Sequence, residues 1–207
     1  MKPGAVIFDM DGVIADSEPI HERAFREALA AFGYGPIPGL NFLDYVGRSD
    51  HELWEDLGRL VRPSHPLAEL MAWKRARVLE LLREKQPWFP GAVQLIRRLQ
   101  GRVPLGLASG SERAVIEAVL DGAGIRSCFA VTVSGAEVPR GKPAPDIFLR
   151  VAARLGVAPE DCWVVEDSLP GIEAAWAARM RVVAITNTHP GAVLGQADHV
   201  VSDYESI

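Results

Sequence analysis

Asp9 and Asp11 stand one residue apart at the end of the apolar run Val6-Ile7-Phe8, and Gly12 and a third acid, Asp16, follow them. Two carboxylates this close repel each other, so the pair calls for a compensating cation, and a divalent one suits it. The apolar run reads as a buried strand that ends in the acids. Gly12 lets the chain turn sharply past the second acid. The chemistry this suits is attack on phosphorus by one aspartate and proton transfer by the other, with a magnesium ion between them and a phosphate.

Three further polar clusters matter in the same way: Ser109-Gly110-Ser111, Gly141-Lys142-Pro143 and Glu166-Asp167-Ser168. Each alone has a structural explanation. A Ser-Gly turn caps helices, a lone lysine is solvated, and adjacent acids compensate a helix N-terminus. Together they supply what phosphoryl transfer needs. Asp9 is the candidate nucleophile, and Asp11 the acid and then the base. Asp9, Asp167 and Glu166, directly or through water, with the Asp11 backbone carbonyl, are candidate Mg2+ ligands. Ser109 and the Gly110 and Ser111 N–H groups suit phosphate oxygens at a helix N-terminus. Lys142 neutralises the transferring group and restrains Asp9.

These clusters must be carried to one place by the elements around them. Residues 4–8 read as a strand. Ile20, Ala24, Phe25, Ala28, Leu29 and Phe32 then fall at helical spacing, with Gly33 after them. Further helices are expected over 51–61 and 67–85, and no strand is expected between 18 and 86. From Pro87 onward strands and helices alternate. Strands are expected at 103–108, 130–133, 163–165, 182–185 and 199–201, which implies a parallel sheet covered on both faces. The organisation is an α/β, Rossmann-like core of residues 1–17 and 88–207, with an α-helical cap of 18–87 inserted after the first strand. An insertion there sits over the carboxyl ends of the strands, where open α/β sheets bind ligands. Asp16 is placed at the hinge where the chain leaves the core.

The bulk properties agree with an enzyme of this kind. The 207 residues suffice to bury a core without disulfides. The net charge of −5, with no basic block, argues against nucleic acid or an anionic membrane as partner. The apolar runs fall short of the ~18 residues of a membrane span, and no signal peptide is seen, so a cytoplasmic, monomeric protein is expected. Cys128 and Cys162 lack metal or redox spacing and read as buried, reduced fillers. Trp54, Trp73, Trp88, Trp163 and Trp176 are expected to pack.

The motifs resemble those of the haloacid dehalogenase superfamily, in the capped subgroup similar to β-phosphoglucomutase and sugar-phosphate phosphatases. Its DxDGxxxD motif is matched by Asp9 to Asp16, its second-motif Ser/Thr by Ser109, its third-motif lysine by Lys142, and its acidic fourth motif by Glu166-Asp167. The resemblance covers essentially the whole chain. It implies that dehalogenases lack an acid at the position of Asp11, which favours phosphoryl chemistry here. It also points to the cap for substrate choice. His21 matches a histidine of β-phosphoglucomutase, and Gly47-Arg48-Ser49-Asp50 matches the cap substrate loop in position, although the mutase carries its arginine later in that loop. His21, Arg48, Lys74 and Arg75 are thus candidates to face the core, with His21 and Arg48 the candidate substrate contacts; Lys74 and Arg75 sit near a basic cap position of the mutase, but solvation is the commoner reading of such helix positions. The leading expectation is a magnesium-dependent phosphatase of a small phosphorylated metabolite such as a sugar phosphate. The alternatives are a phosphosugar mutase and a non-catalytic phosphometabolite-binding module.

Overall fold

The computed structural model describes residues 3–48 and 50–207; Met1, Lys2 and Ser49 of the expected substrate loop lie outside the described residues. Six parallel strands make one sheet: β1 (Ala5–Phe8), β2 (Leu105–Ser109), β3 (Val131–Ser134), β4 (Cys162–Glu166), β5 (Arg181–Ile185) and β6 (His199–Val201). Their order is β3-β2-β1-β4-β5-β6. The central strands are apolar at nearly every position because both faces are covered. Side chains alternate along β1, so Val6 and Phe8 join one apolar cluster while Ala5 and Ile7 join the other. Leu95 and Ile96 of α4 (Pro90–Leu99) and Val115, Ile116 and Val119 of α5 (Arg113–Gly122) close the first face. Ile147, Phe148 and Val151 of α6 (Asp146–Leu155) and Ile172 and Ala175 of α7 (Leu169–Ala177) close the second.

This order sets the position of the site. The chain moves outward from β1 through β2 to β3, then returns to the other side of β1 for β4. Loops leaving β1 and β4 therefore diverge, and the crevice between them is where such sheets bind ligands. Asp9 follows β1, and Glu166 closes β4.

Between β1 and α4 lie three helices, α1 (Glu18–Ala31), α2 (Asp50–Val61) and α3 (Leu67–Lys85). They share an apolar cluster of Phe25, Leu29, Leu53, Trp54, Leu57 and Leu70. The lower ends of α1 and α3 join the core instead, through Ile20, Ala24, Val78 and Leu82. The outgoing and returning strands of chain pair with each other: the Asp16 N–H donates to Pro87 O at 2.8 Å and the Phe89 N–H to Ile14 O at 2.9 Å. Asp16 is exposed at this crossing. No described helix is long and apolar enough to cross a membrane.

Several expectations shift. β2 and β4 each run one residue further than expected, so that Ser109 and Glu166 are the last strand residues rather than the first loop residues. Both remain in the ladder, Ser109 opposite Ser134 and Glu166 opposite Ala184. Their polarity reads as loop in sequence, but their side chains find partners at the site. Trp176 is 45% exposed rather than packed, and Cys128 is only half-buried, whereas Cys162 is buried. Trp176 lies on α7, whose packed stripe is filled by Ile172 and Ala175. Lys74 is not solvated at all: it is 2% exposed and paired with Asp50. Another helix of the insertion has closed over that face of α3, which the periodicity of α3 alone does not reveal.

Candidate active site

Asp9, Glu166 and Asp167 converge at the crevice, each offering a carboxylate oxygen within 4.8 Å of the others. All three are buried. Lys142 enters from the loop before α6 and donates to Asp9 Oδ1 and to Glu166 Oε1, each at 2.5 Å. Its ammonium stands 5.1 Å from the centre of the Phe148 ring, which fixes the side chain from the α6 side. Glu166 Oε2 accepts from the Asp167 N–H, the Ser168 N–H and the Ser168 hydroxyl at 2.9, 3.0 and 2.9 Å. Both Glu166 oxygens are thus engaged. Asp167 Oδ2 accepts from Thr188, just beyond β5.

Three carboxylates around one ammonium leave the crevice short of positive charge. Burial, first of all, pushes the Asp9 carboxyl well above its usual range; Lys142 pulls against this, and Glu166 adds to the rise. Asp167 is raised in the same way, by burial and then by Glu166. Burial would lower Lys142, but the charges of Asp9 and Glu166 outweigh it and hold the ammonium protonated.

Gly12 is required by the close approach of this cluster to the acidic loop. Its φ is +78°, and a Cβ there would lie 1.8 Å from Asp167 Oδ2. The loop is clamped from the far end of the chain. Asn187 donates to Gly12 O at 2.8 Å, and the Tyr204 hydroxyl donates to Val13 O at 2.6 Å.

Asp11 points into a different set of partners. Its Oδ1 accepts from the Ser17 hydroxyl at 2.5 Å, and its Oδ2 accepts from the Ser109 and Ser111 hydroxyls at 3.1 and 3.0 Å. His21 Nε2 lies 3.5 Å from Oδ1 without hydrogen-bond alignment. Burial pushes this carboxyl up, but His21, Ser17 and Ser111 together outweigh it and bring it to about 2. Asp9 and Asp11 are therefore driven apart: one is crowded by anions, the other surrounded by donors. The Ser111 N–H, expected to face a phosphate oxygen, donates to Ser109 Oγ at 3.0 Å instead.

Beyond these groups a cavity runs between the core and the inserted helices. Asp9, Asp11, Lys142, Gly110 and Ser111 line its core end. Glu18, His21, Phe42, Tyr45, Arg48 and Asp50 line the rest. The loop before α2 touches the core: Gly47, at φ +78°, lies so close to Ser168 that a Cβ would fall 2.4 Å from its hydroxyl oxygen. Arg75 of α3 reaches Glu112 at the start of α5 at 2.6 Å.

Of the candidate site residues read from the sequence, Asp9, Asp11, His21, Arg48, Gly110, Ser111 and Lys142 line this cavity, whereas Ser109, Glu166 and Asp167 are buried beside it, Ser109 bonded to Asp11 and Glu166 to Lys142. Arg48 is the loosest, on an exposed loop with its guanidinium 2.5 Å from Glu52 Oε2. Four residues were missed: Ser17, Glu18, Asp50 and Thr188. Ser17 and Glu18 directly follow the acidic loop, and that adjacency was an available signal. Thr188 follows a strand at the same rim. Asp50 closes the Gly47–Asp50 stretch that resembles the cap substrate loop, and that position was its only signal.

A parallel 3-2-1-4-5-6 sheet with an acidic crevice at its switch point, capped by helices inserted after the first strand, defines a capped α/β hydrolase. The chain belongs to the haloacid dehalogenase-like hydrolase family, whose model matches residues 3–179. It is 35% identical over 186 residues to fructose-1-phosphate phosphatase YqaB of Escherichia coli (strain K12), covering 87% of this chain and 95% of that one. It is 37% identical over 187 residues to hexitol phosphatase B of the same organism, covering 87% and 82%. Among solved structures it resembles β-phosphoglucomutase from Clostridium difficile, with a TM-score of 0.83 and 27% identity over 100% of this chain and 93% of that one. The chain is thus a hydrolase of the capped subgroup that is similar to sugar-phosphate phosphatases and β-phosphoglucomutase, and its acid at position 11 fits a phosphatase.

Proposed function

We propose that the protein is a magnesium-dependent phosphatase of a small sugar or sugar-alcohol phosphate, acting through an aspartyl-phosphate on Asp9. The observation that carries this is the separation of the two aspartates. Asp9 sits with Lys142, Glu166 and Asp167, while Asp11 sits apart among Ser17, Ser109, Ser111 and His21. A nucleophile and a proton carrier need such different surroundings.

The donor set fits Mg2+. All donors are hard oxygens, and the raised proton affinity of Asp9 and Asp167 marks a shortage of positive charge that a small dication relieves. Asp9, Asp167 and the Asp11 carbonyl would hold the ion, with Glu166 acting through Lys142 and through water. When bound, the ion neutralises charge on the phosphate and aligns it with the nucleophile.

An Asp9 carboxylate oxygen attacks phosphorus, and the ester P–O bond breaks. Asp11 gives its proton to the departing alkoxide oxygen. A phosphate dianion arriving beside Asp11 raises its proton affinity, opposing the donors that hold it near 2. In the second half Asp11, now a carboxylate, takes a proton from water, which attacks the acyl-phosphate and frees Asp9 and inorganic phosphate. Lys142 offsets charge on the transferring group. The inserted helices close over the reaction and limit water around the substrate.

Likeness to the β-phosphoglucomutase structure favours one second reading, in which the phosphoryl group returns to a sugar. Purified protein assayed with a panel of sugar phosphates and Mg2+ separates the two. Release of inorganic phosphate, lost in Asp9→Asn and in chelator, is expected. Conversion of β-glucose 1-phosphate to glucose 6-phosphate without phosphate release would establish the mutase instead. Neither reaction, with beryllofluoride still taken up at Asp9, would leave a binding module.

A further inference from the structure

Asp9 is held directly by the sheet, since its N–H donates to Val165 O at 3.0 Å. The other two groups that would face a cation, the Asp11 carbonyl and the Asp167 carboxylate, lie past the ends of β1 and β4. Beyond a strand end the ladder no longer fixes a peptide plane or a side chain, so a ligand there needs support from outside its own strand.

One short segment supplies that support to both. Asn187 and Thr188 follow β5. The Asn187 amide donates to Gly12 O at 2.8 Å, and the Thr188 hydroxyl donates to Asp167 Oδ2. Neighbouring residues thus hold the turn after Asp11 and the acid after β4. Gly12 lies against both: a Cβ on it would stand 2.6 Å from Thr188 Oγ1 as well as 1.8 Å from Asp167 Oδ2. Thr188 takes one oxygen of the carboxylate and leaves the other for a cation.

Tyr204 ties the same segment to the acidic loop a second time. Its hydroxyl accepts from Asn187 Nδ2 at 2.7 Å and donates to Val13 O at 2.6 Å. Both hydrogens of the Asn187 amide are therefore used. The tyrosine is itself seated on the start of α4, where a Cβ on Gly91 would fall 2.6 Å from its Cδ2, and its ring centre is 6.2 Å from that of Phe89. Burial, first of all, raises the phenol above its usual range, so it stays a donor. Satisfying two loop carbonyls would account for Asn187 and Tyr204 by itself. It does not account for Thr188, which donates to a carboxylate that faces the acidic cluster.

We propose that Asn187, Thr188 and Tyr204 are positioning residues of the metal site. They act as one clamp that holds the Asp11–Gly12 peptide and the Asp167 carboxylate in place relative to each other, so that Mg2+ meets both without rearranging either. The inference rests on the magnesium-dependent reading and goes beyond it, because it assigns the shape of the site to residues 175 and 191 positions along the chain from the loop they hold.

Mg2+ titrated into the metal-free protein by calorimetry, well below the melting temperature, reads the clamp apart from stability. Partners that orient a metal ligand change metal affinity by about 10–100-fold, so Thr188→Val, which keeps the shape and removes the hydroxyl, is expected to weaken Mg2+ binding by about tenfold or more. Tyr204→Phe acts one hydrogen bond further out and is expected to weaken it by at least about threefold. Thr188→Ser, which keeps the hydroxyl and removes the methyl, is expected to bind within about twofold of wild type. A role in packing alone would lower the melting temperature of these variants and leave the Mg2+ affinity of the folded protein unchanged. Should Thr188→Val or Tyr204→Phe fail to fold, Thr188→Ala or Asn187→Ala takes its place with the same expectation. A loss below about threefold at either position, or a Thr188→Ser no tighter than Thr188→Val, overturns the clamp and leaves the proposed function standing. A wild-type protein that takes up no Mg2+ brings down the magnesium-dependent reading, and this inference with it.

Discussion

Lys142→Met is the sharpest test of how the crevice is held together. The ammonium is 3% exposed and bridges Asp9 and Glu166 at 2.5 Å each. Methionine fills a similar volume, so cavity formation contributes little and the change is electrostatic. Removing one partner of a buried ion pair costs about 3–5 kcal/mol, because the remaining charge is left uncompensated. Here two carboxylates lose their cation, beside a third in Asp167. For a chain of this size 1 kcal/mol corresponds to roughly 2–4 °C, so the metal-free variant is expected to melt about 6–20 °C lower. The deficit shrinks as pH falls, since the orphaned carboxylates take up protons in the folded state. Glu166→Gln introduced into Lys142→Met removes one of the orphans while keeping an oxygen for the Asp167 and Ser168 N–H groups. It is therefore expected to stabilise that background by about 1–3 kcal/mol. Thermal melts of metal-free protein at two pH values, with urea unfolding as a cross-check, give these quantities. A loss below about 2 °C, or a double variant less stable than Lys142→Met, would refute the account of Lys142 as the counter-charge of Asp9 and Glu166.

Other outcomes follow from the same geometry. In the metal-free protein burial raises Asp9 and Asp167 well above the usual aspartate range, and Glu18 is raised from 4.5 to about 7 by burial and by Asp11. The folded state then holds more protons than the unfolded one, so stability falls as pH rises from the unfolded carboxyl range through about 7. Melts between pH 5 and 8 should show this decline and its reversal by Mg2+; a flat profile contradicts it. Gly12→Ala forces a Cβ within 1.8 Å of Asp167 Oδ2 at φ +78°, costing about 1–3 kcal/mol of strain. It should also weaken the Mg2+-induced rise in melting temperature, and retention of that full rise counts against a tight Gly12–Asp167 contact. Arg75→Ala breaks the 2.6 Å bridge from α3 to Glu112. The bridge is partly exposed, so a stability loss below about 1 kcal/mol is expected by urea unfolding, and a loss above 2 kcal/mol means the bridge is part of the packed core.

The candidate catalytic groups were legible because their chemistry is local in sequence. A strand ending in Asp9 and Asp11 announces itself through hydrophobicity followed by crowded charge, and Glu166-Asp167 repeats that signal at β4. The helical insertion was equally readable from a change of period. Strand ends were less so, since Ser109 and Glu166 are polar residues that the ladder nevertheless retains. Lys74 was misread for a related reason. Periodicity ranks the faces of a helix by composition, and a charged residue is assigned to solvent unless a partner is known. Its partner, Asp50, lies 24 residues away on another helix.

The sequence by itself determined the candidates for nucleophile, proton carrier, lysine and acidic ligands, and the alternation that makes a covered parallel sheet. Those features depend on residue type and short-range spacing. Only the tertiary structure decided who faces whom. It brought Lys142 to Asp9 across 133 residues, gave Asp11 three hydroxyl donors, and set Thr188 on Asp167. It also placed Glu18 and Asp50 on the wall of the cavity, with Asp50 paired to Lys74. Such pairings follow from strand order and from the angle at which the inserted helices meet the core, and neither is encoded in any short stretch of the chain.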